Sequence, residues 1–186
     1  IARRAAERAT AQGAGVLVLP VIPFGCSPDV MSYPYTLSVR PSTLLALCGD
    51  LLDSLAAQGL RKVVLLNGHG GNCGTLEALT RERFGKDGVF LACLDWWTTV
   101  ADVVRDVQET EELSHADEIE TSQSLALCPH LVRMEAAEKT HTHPTQLRTL
   151  EAYGGKFLKP WHLYTRNGGV GDPARATVEK GRRIVD

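Results

Sequence analysis

Residues 62–72, KVVLLNGHGGN, decide the fold. Lys62 to Leu66 is a short apolar run rich in β-branched residues, the pattern of a strand buried on both faces of a parallel sheet. It stops at Asn67-Gly68-His69-Gly70-Gly71-Asn72, where three glycines allow a tight turn and close approach of other groups. Residues 73–84, CGTLEALTRERF, follow with apolar positions at helical spacing. The order is strand, glycine turn, helix, with a histidine at the strand's carboxyl end, the edge where open α/β sheets bind ligands. The turn lacks both Gly-Lys-Ser/Thr and G-x-G-x-x-G, so it is not a phosphate loop. Two readings of His69 stay open from the loop alone. It is an exposed polar side chain in a tight turn, or a metal ligand with room for an ion between flanking glycines.

Outward from this stretch, helices and strands alternate. Residues 1–12 form an alanine-rich amphipathic helix, and residues 16–22, VLVLPVI, read as a buried strand with Pro20 at its exit. Residues 23–40 are rich in proline, serine and aromatics. They follow that strand's carboxyl end, so they are expected as a wall of the site carrying His69. A leucine-rich helix spans residues 41–58, and a further strand spans residues 89–95. Trp96 and Trp97 stand at its carboxyl end, as core caps or as a pocket wall. Residues 98–113 are expected to be helical, residues 118–128 are a helix stopped by Pro129, and Asp172-Pro173 begins the last helix. Residues 139–165 lack periodicity. The alternation predicts an α/β fold: residues 1–186 as a single-domain three-layer sandwich, with a mostly parallel central sheet flanked by helices.

Composition narrows the function classes. A net formal charge of −2 with 44% hydrophobic residues favours neither nucleic acid nor an anionic membrane. No apolar run approaches the roughly 20 residues that span a bilayer, and no secretory signal is visible. Five scattered cysteines without a C-x-x-C point to reduced thiols and a cytoplasmic location.

Residues 115–122, HADEIETS, add His115, Glu118 and Glu120 at the start of a helix. Glu118 and Glu120 are two apart, so they point to different faces and do different jobs. Without further context they are an acidic first turn that complements the helix dipole. Cys73 at a helix N-terminus and Cys26 in the proline-rich loop are alternative nucleophiles. His141 and His143 are a possible ligand pair on alternate residues, read here as a polar loop.

Three segments together resemble one family. NGHGGN, HADEIETS and residues 168–181, GGVGDPARATVEKG, occur in the order found in the creatinine amidohydrolase (creatininase) family, and residues 18–25, VLPVIPFG, fit the strand and turn before them. The resemblance covers nearly the whole chain. It implies metal-dependent hydrolysis of a C–N bond by activated water, in a cyclic or small amide, a formamide or a peptide-like substrate rather than an ordinary peptide bond. His69 and Glu118 are implied as metal ligands, His115 as the proton-transfer group and Glu120 as a supporting catalytic carboxylate. Trp96, Trp97, Gly70 and Gly71 would line the substrate. The implied cofactor is a divalent ion (Zn²⁺, Mn²⁺ or Fe²⁺), two per intact site, in a cytoplasmic homo-oligomer, commonly a hexamer.

The chain departs from the pattern in three places. Creatininase carries a glutamate where Gly71 stands, which argues against creatinine as substrate. Asp117 replaces a usual glycine. The family's N-terminal E-x-H stretch and the aspartate after it have no counterpart, and both ends look cut. The competing expectations are therefore a degenerate or truncated member serving as a binding or assembly module, and a cysteine-dependent hydrolase. The hydrolase reading requires His69 and Glu118 to converge above the sheet.

Overall fold

The computed structural model of the chain describes residues 1–86, 88–143 and 147–186. Contacts divide it into two compact units. The first comprises Ile1–Pro28 and Leu37–Thr99, the second Asp29–Thr36 and Val100–Asp186.

The first unit holds the strand–turn–helix segment. Strand β1 (Lys62–Asn67) pairs in parallel with β2 (Phe90–Asp95), Lys62 opposite Phe90 and Asn67 opposite Asp95. Helix α1 (Ala2–Ala11) buries none of its residues. Helix α2 (Pro41–Ala57) begins on Pro41, whose missing N–H costs nothing in a first turn, and buries Leu44, Cys48 and Leu52, one stripe at four-residue spacing. Helix α3 (Cys73–Arg83) buries Thr75, Leu76 and Leu79. With Cys26 these side chains form the core, against which Val63, Leu65, Leu91 and Cys93 of the two strands pack. The strands' other face leaves Val64 and Phe90 exposed. A short helix, α4 (Trp96–Thr99), follows β2.

Residues 16–22 are not a strand. They run without a ladder partner among the described residues, and Leu17 and Val21 are 79% and 83% exposed. Apolar β-branched residues make a strand only when a neighbour satisfies their backbone, and Pro20 removes one donor outright.

In the second unit, α5 (Ala101–Val107) ends six residues short of the expected helix over 98–113, because the backbone at Glu109 and Thr110 is engaged elsewhere. Helix α6 (Glu118–Leu127) lies against α8 (Val178–Val185). The approach is so close that a Cβ on Gly181 would stand 1.9 Å from the Ser122 carbonyl oxygen. The last helix does not begin at Asp172-Pro173. Those residues open a single 3-10 turn, Pro173–Arg175, and α8 starts after Thr177, whose hydroxyl accepts the Lys180 amide at 3.2 Å. Among its described residues the aperiodic region holds a short helix, α7 (Arg148–Ala152), and one 3-10 turn, Trp161–Leu163. An isolated antiparallel bridge from Thr140 to Gly171 ties it to the rest of the unit, and a second joins His115 to Val170. Among the described residues no helix is long and apolar enough to cross a membrane. The fold is α/β, built on the parallel β1–β2 pair and its helices.

Candidate active site

His69 leaves the end of β1 in an extended conformation, and its backbone N–H donates to Asn67 Oδ1 at 3.1 Å. Asn67, almost wholly buried, donates from Nδ2 to Asp95 Oδ1 at 2.7 Å, so the ends of the two strands are joined under the loop. Asn72 Oδ1 accepts the Cys26 amide at 2.9 Å, and Asn72 Nδ2 donates to Asn67 Oδ1 at 3.2 Å. These bonds hold residues 25–27 of the proline-rich segment against the glycine turn.

The His69 ring reaches that segment. Its Nε2 lies 2.9 Å from the Cys26 carbonyl oxygen and 2.9 Å from Ser27 Oγ. A carbonyl only accepts, so Nε2 carries a hydrogen, which in the neutral tautomer leaves the lone pair on Nδ1. Gly71 fits beneath this contact. A Cβ there would stand 1.9 Å from the Cys26 carbonyl oxygen and 2.6 Å from His69 Nε2. Gly70 faces open space. Trp96 is buried and Trp97 half-buried, their rings edge to face at 6.0 Å.

The two cysteines of the alternative reading lie in this unit. Burial pushes the Cys73 thiol up, and the charge and hydrogen bond of Asp95 push it further, against the effect expected of a helix N-terminus. Cys26 is buried, its Sγ 4.0 Å from Thr75 Oγ1. A cavity of about 420 Å³ in the same unit is lined almost wholly by apolar side chains, among them Leu19, Phe24 and Leu47, and holds no group able to do acid–base work.

The remaining candidates lie in the second unit. His115 sits on the loop before α6, bridged to Val170 by paired backbone hydrogen bonds of 3.3 and 2.8 Å. Its ring meets Trp161 edge to face at 5.0 Å. Nδ1 of His115 is 3.7 Å from Glu120 Oε2, with both side chains a little under half exposed. Glu120 Oε2 in turn accepts the Ala116 amide at 2.6 Å, which fixes the carboxylate beside the imidazole. Ala116 takes a positive φ of 49°, turning the chain sharply into the helix. Asp117, where the family usually has glycine, is the helix cap. Its Oδ1 accepts the amides of Ile119 at 2.8 Å and Glu120 at 3.0 Å. Burial nevertheless raises its carboxyl above the ordinary value.

Glu118 occupies a different environment from the one expected of a metal ligand. It is fully buried, and both oxygens are taken. Oε1 accepts Lys180 Nζ at 2.6 Å, and Oε2 accepts the Thr110 amide at 2.9 Å and the Thr110 hydroxyl at 2.7 Å. The Glu109 amide reaches both oxygens at 3.0 Å. Burial alone would raise this carboxyl. The bonds from Lys180, Thr110 and Glu109 outweigh burial and hold it below the ordinary glutamate value. Of the histidine pair, His141 Nδ1 faces Glu112 Oε2 at 3.4 Å, while the His143 backbone binds Tyr164. Pro144, which follows, lies outside the described residues.

The structure thus brings His115 and Glu120 together; His69 belongs to the first unit and Glu118 to the second. As a donor set, these residues do not fit a complete metal centre. Among the described residues no three His, Cys, Asp or Glu side chains are grouped to hold an ion, and the cation at Glu118 is Lys180. The sequence reading missed Lys180, Ser27 and Trp161. Lys180 stood inside the quoted C-terminal segment, but nothing in the spacing told which carboxylate it would meet.

The sequence model of the creatininase family, creatinine amidohydrolase, matches residues 1–186. A mycofactocin precursor peptide peptidase of Mycobacterium ulcerans is 29% identical over 99% of this chain and 67% of its own length. A creatinine amidohydrolase of Pseudomonas putida is 30% identical over 73% of this chain and 56% of its own length. Against these curated relatives the chain spans between 56% and 67% of their length. A solved structure from Bacteroides fragilis, provisionally assigned as a creatinine amidohydrolase, superposes over all of this chain and 73% of its own, with a TM-score of 0.90 and 32% identity. A creatininase mutant of Zn–Zn type superposes with a TM-score of 0.65 at 25% identity, over 82% of this chain and 62% of its own. The match along the whole sequence and the fold agree with the three motifs: the chain belongs to the creatinine amidohydrolase family.

Proposed function

We propose that the protein hydrolyses the C–N bond of a small amide or peptide-like substrate, with divalent ions of the kind named for its solved relatives. The observation that carries this reading is the His115–Glu120 pair. An imidazole sits 3.7 Å from a carboxylate that a backbone amide holds in place, both open to solvent. Such a pair takes a proton from attacking water and returns it to the leaving nitrogen. Bound divalent ions would lower the pKa of that water and polarise the carbonyl. His69, whose Nε2–H is anchored on the Cys26 carbonyl, is a candidate donor through Nδ1. Trp161 shields one side of His115 from water.

Gly71 argues against creatinine. The position where creatininase carries a glutamate has no room for a Cβ here unless the Cys26 backbone and the His69 ring move. Relatives of two kinds, a peptide peptidase and a creatinine amidohydrolase, support a small-amide or peptide-like substrate class.

The test is amine release by the intact protein from creatinine, formamides and short peptides, before and after chelation and after thiol alkylation. The reading expects release that a strong chelator abolishes, that Zn²⁺ or Mn²⁺ restores and that alkylation leaves intact. Release indifferent to the chelator but lost on alkylation would overturn it.

A further inference from the structure

The loop from Thr110 to Glu118 carries His115, and one side chain holds its two ends together. Glu118, at the downstream end, accepts the backbone amides of Glu109 and Thr110, at the upstream end, together with the Thr110 hydroxyl. The fully buried carboxylate is matched by Lys180, whose ammonium uses all three donors: Glu118 Oε1 at 2.6 Å, Glu109 Oε1 at 2.7 Å and the Arg175 carbonyl at 2.9 Å. Three segments therefore meet on one cation: the entry to the loop, the first residue of α6 and the 3-10 turn before α8.

We propose that Glu118 and Lys180 form a positioning pair, a clasp that closes the 110–118 loop and sets His115 against Glu120. The proposal rests on the reading of His115 and Glu120 as the proton-handling pair. Three features support it. A divalent ion at Glu118 would have to displace Lys180 and strip backbone N–H groups that have no other acceptor among the bonds described here. The far side of the loop is backed by Gly171, where a Cβ would stand 2.7 Å from both Asp117 Cβ and the Glu112 carbonyl oxygen, so the loop has little freedom to shift inward. Asp117 and Glu120 complete the turn with bonds to amides of residues 116, 119 and 120. Once its ends are pinned, the loop has one arrangement in which His115 pairs with Val170 and faces Glu120.

The experiment uses the intact protein and the variants Glu118→Gln, Lys180→Met and Lys180→Arg. It reads amide hydrogen exchange along the chain, divalent metal content by elemental analysis, and kcat and KM for amine release. With the clasp broken by Glu118→Gln or Lys180→Met, the amides of residues 111–117 exchange about tenfold faster or more, while the middles of α6 and α8 keep their protection. Metal content stays that of the wild type, kcat falls with KM little changed, and Lys180→Arg recovers most of both the protection and the rate. Loss of metal from Glu118→Gln would make that residue a ligand and overturn the proposal, as would unchanged exchange over residues 111–117. If Lys180→Met does not fold, the near-isosteric Glu118→Gln decides. Exchange and metal content are read without turnover, so a failure of the hydrolase reading and a failure of the clasp are told apart.

Discussion

Gly71 shows how one hydrogen atom in place of a methyl can decide the chemistry of a loop. Its Cα lies under the Cys26 carbonyl and the His69 ring, with no space for a Cβ. Gly71→Ala should cost about 1–3 kcal/mol, the usual range for overpacking, and should loosen the His69 contact to Ser27; urea unfolding and the His69 ring resonances measure the two effects. Glu118 gives a second residue-level prediction. Its hydrogen bonds hold the carboxyl below the ordinary 4.5 of the unfolded chain. The stabilisation it provides is therefore complete above pH 4.5 and is lost as pH falls through the depressed folded value. In Glu118→Gln this part of the acid dependence should vanish from urea unfolding curves taken across that range. An acid limb unchanged by the substitution would mean the carboxylate is not held by Lys180, Thr110 and Glu109. The sequence made the two glutamates of HADEIETS distinguishable, because residues two apart cannot share a face. It could not say which one turns inward. That is settled by the amides of Glu109 and Thr110 and by Lys180, partners 8 to 62 positions away along the chain.

At the scale of elements, caps and tight contacts set the boundaries. Helix α6 starts where Asp117 accepts two amides, and α8 starts where Thr177 accepts one. Asp117→Ala removes the α6 cap and should destabilise the second unit by about 1–2 kcal/mol. Thermal unfolding measures this, with Asp117→Asn, which can still cap, losing much less. The start and stop of α2, β1, α3 and β2 were legible to within a residue or so, because apolar spacing, Pro41, Gly59 and the glycine turn are all local signals. The start of α8 was not. Asp172-Pro173 is a valid helix opening, but the chain breaks after Arg175 so that the Thr177 amide can reach Ser122 Oγ at 3.1 Å. The strand expected over residues 16–22 failed for the complementary reason. Its composition is right, but a strand is made by its neighbour, and sequence pattern does not report whether one is present.

For the molecule as a whole, the α/β class followed from alternating strand and helix signals, whose strands all fall in the first unit. The second unit was much less readable. Its segments are joined by isolated bridges, His115 to Val170 and Thr140 to Gly171, that carry no periodicity. The same division explains why the metal question was open to sequence: His69 and HADEIETS belong to different units, and neither contains a full set of ligands among the described residues. Residues 1–186 alone should therefore bind Zn²⁺ or Mn²⁺ only weakly, and titration calorimetry showing two sub-micromolar equivalents would refute that. The imidazole beside Glu120 carries the proposed chemistry. The deciding measurement is amine release by the intact protein and its His115→Asn variant on the same amide substrate. The predicted result is a drop of roughly 100- to 10,000-fold in kcat with the fold retained, the range for losing a general acid–base group; an unchanged rate would contradict it.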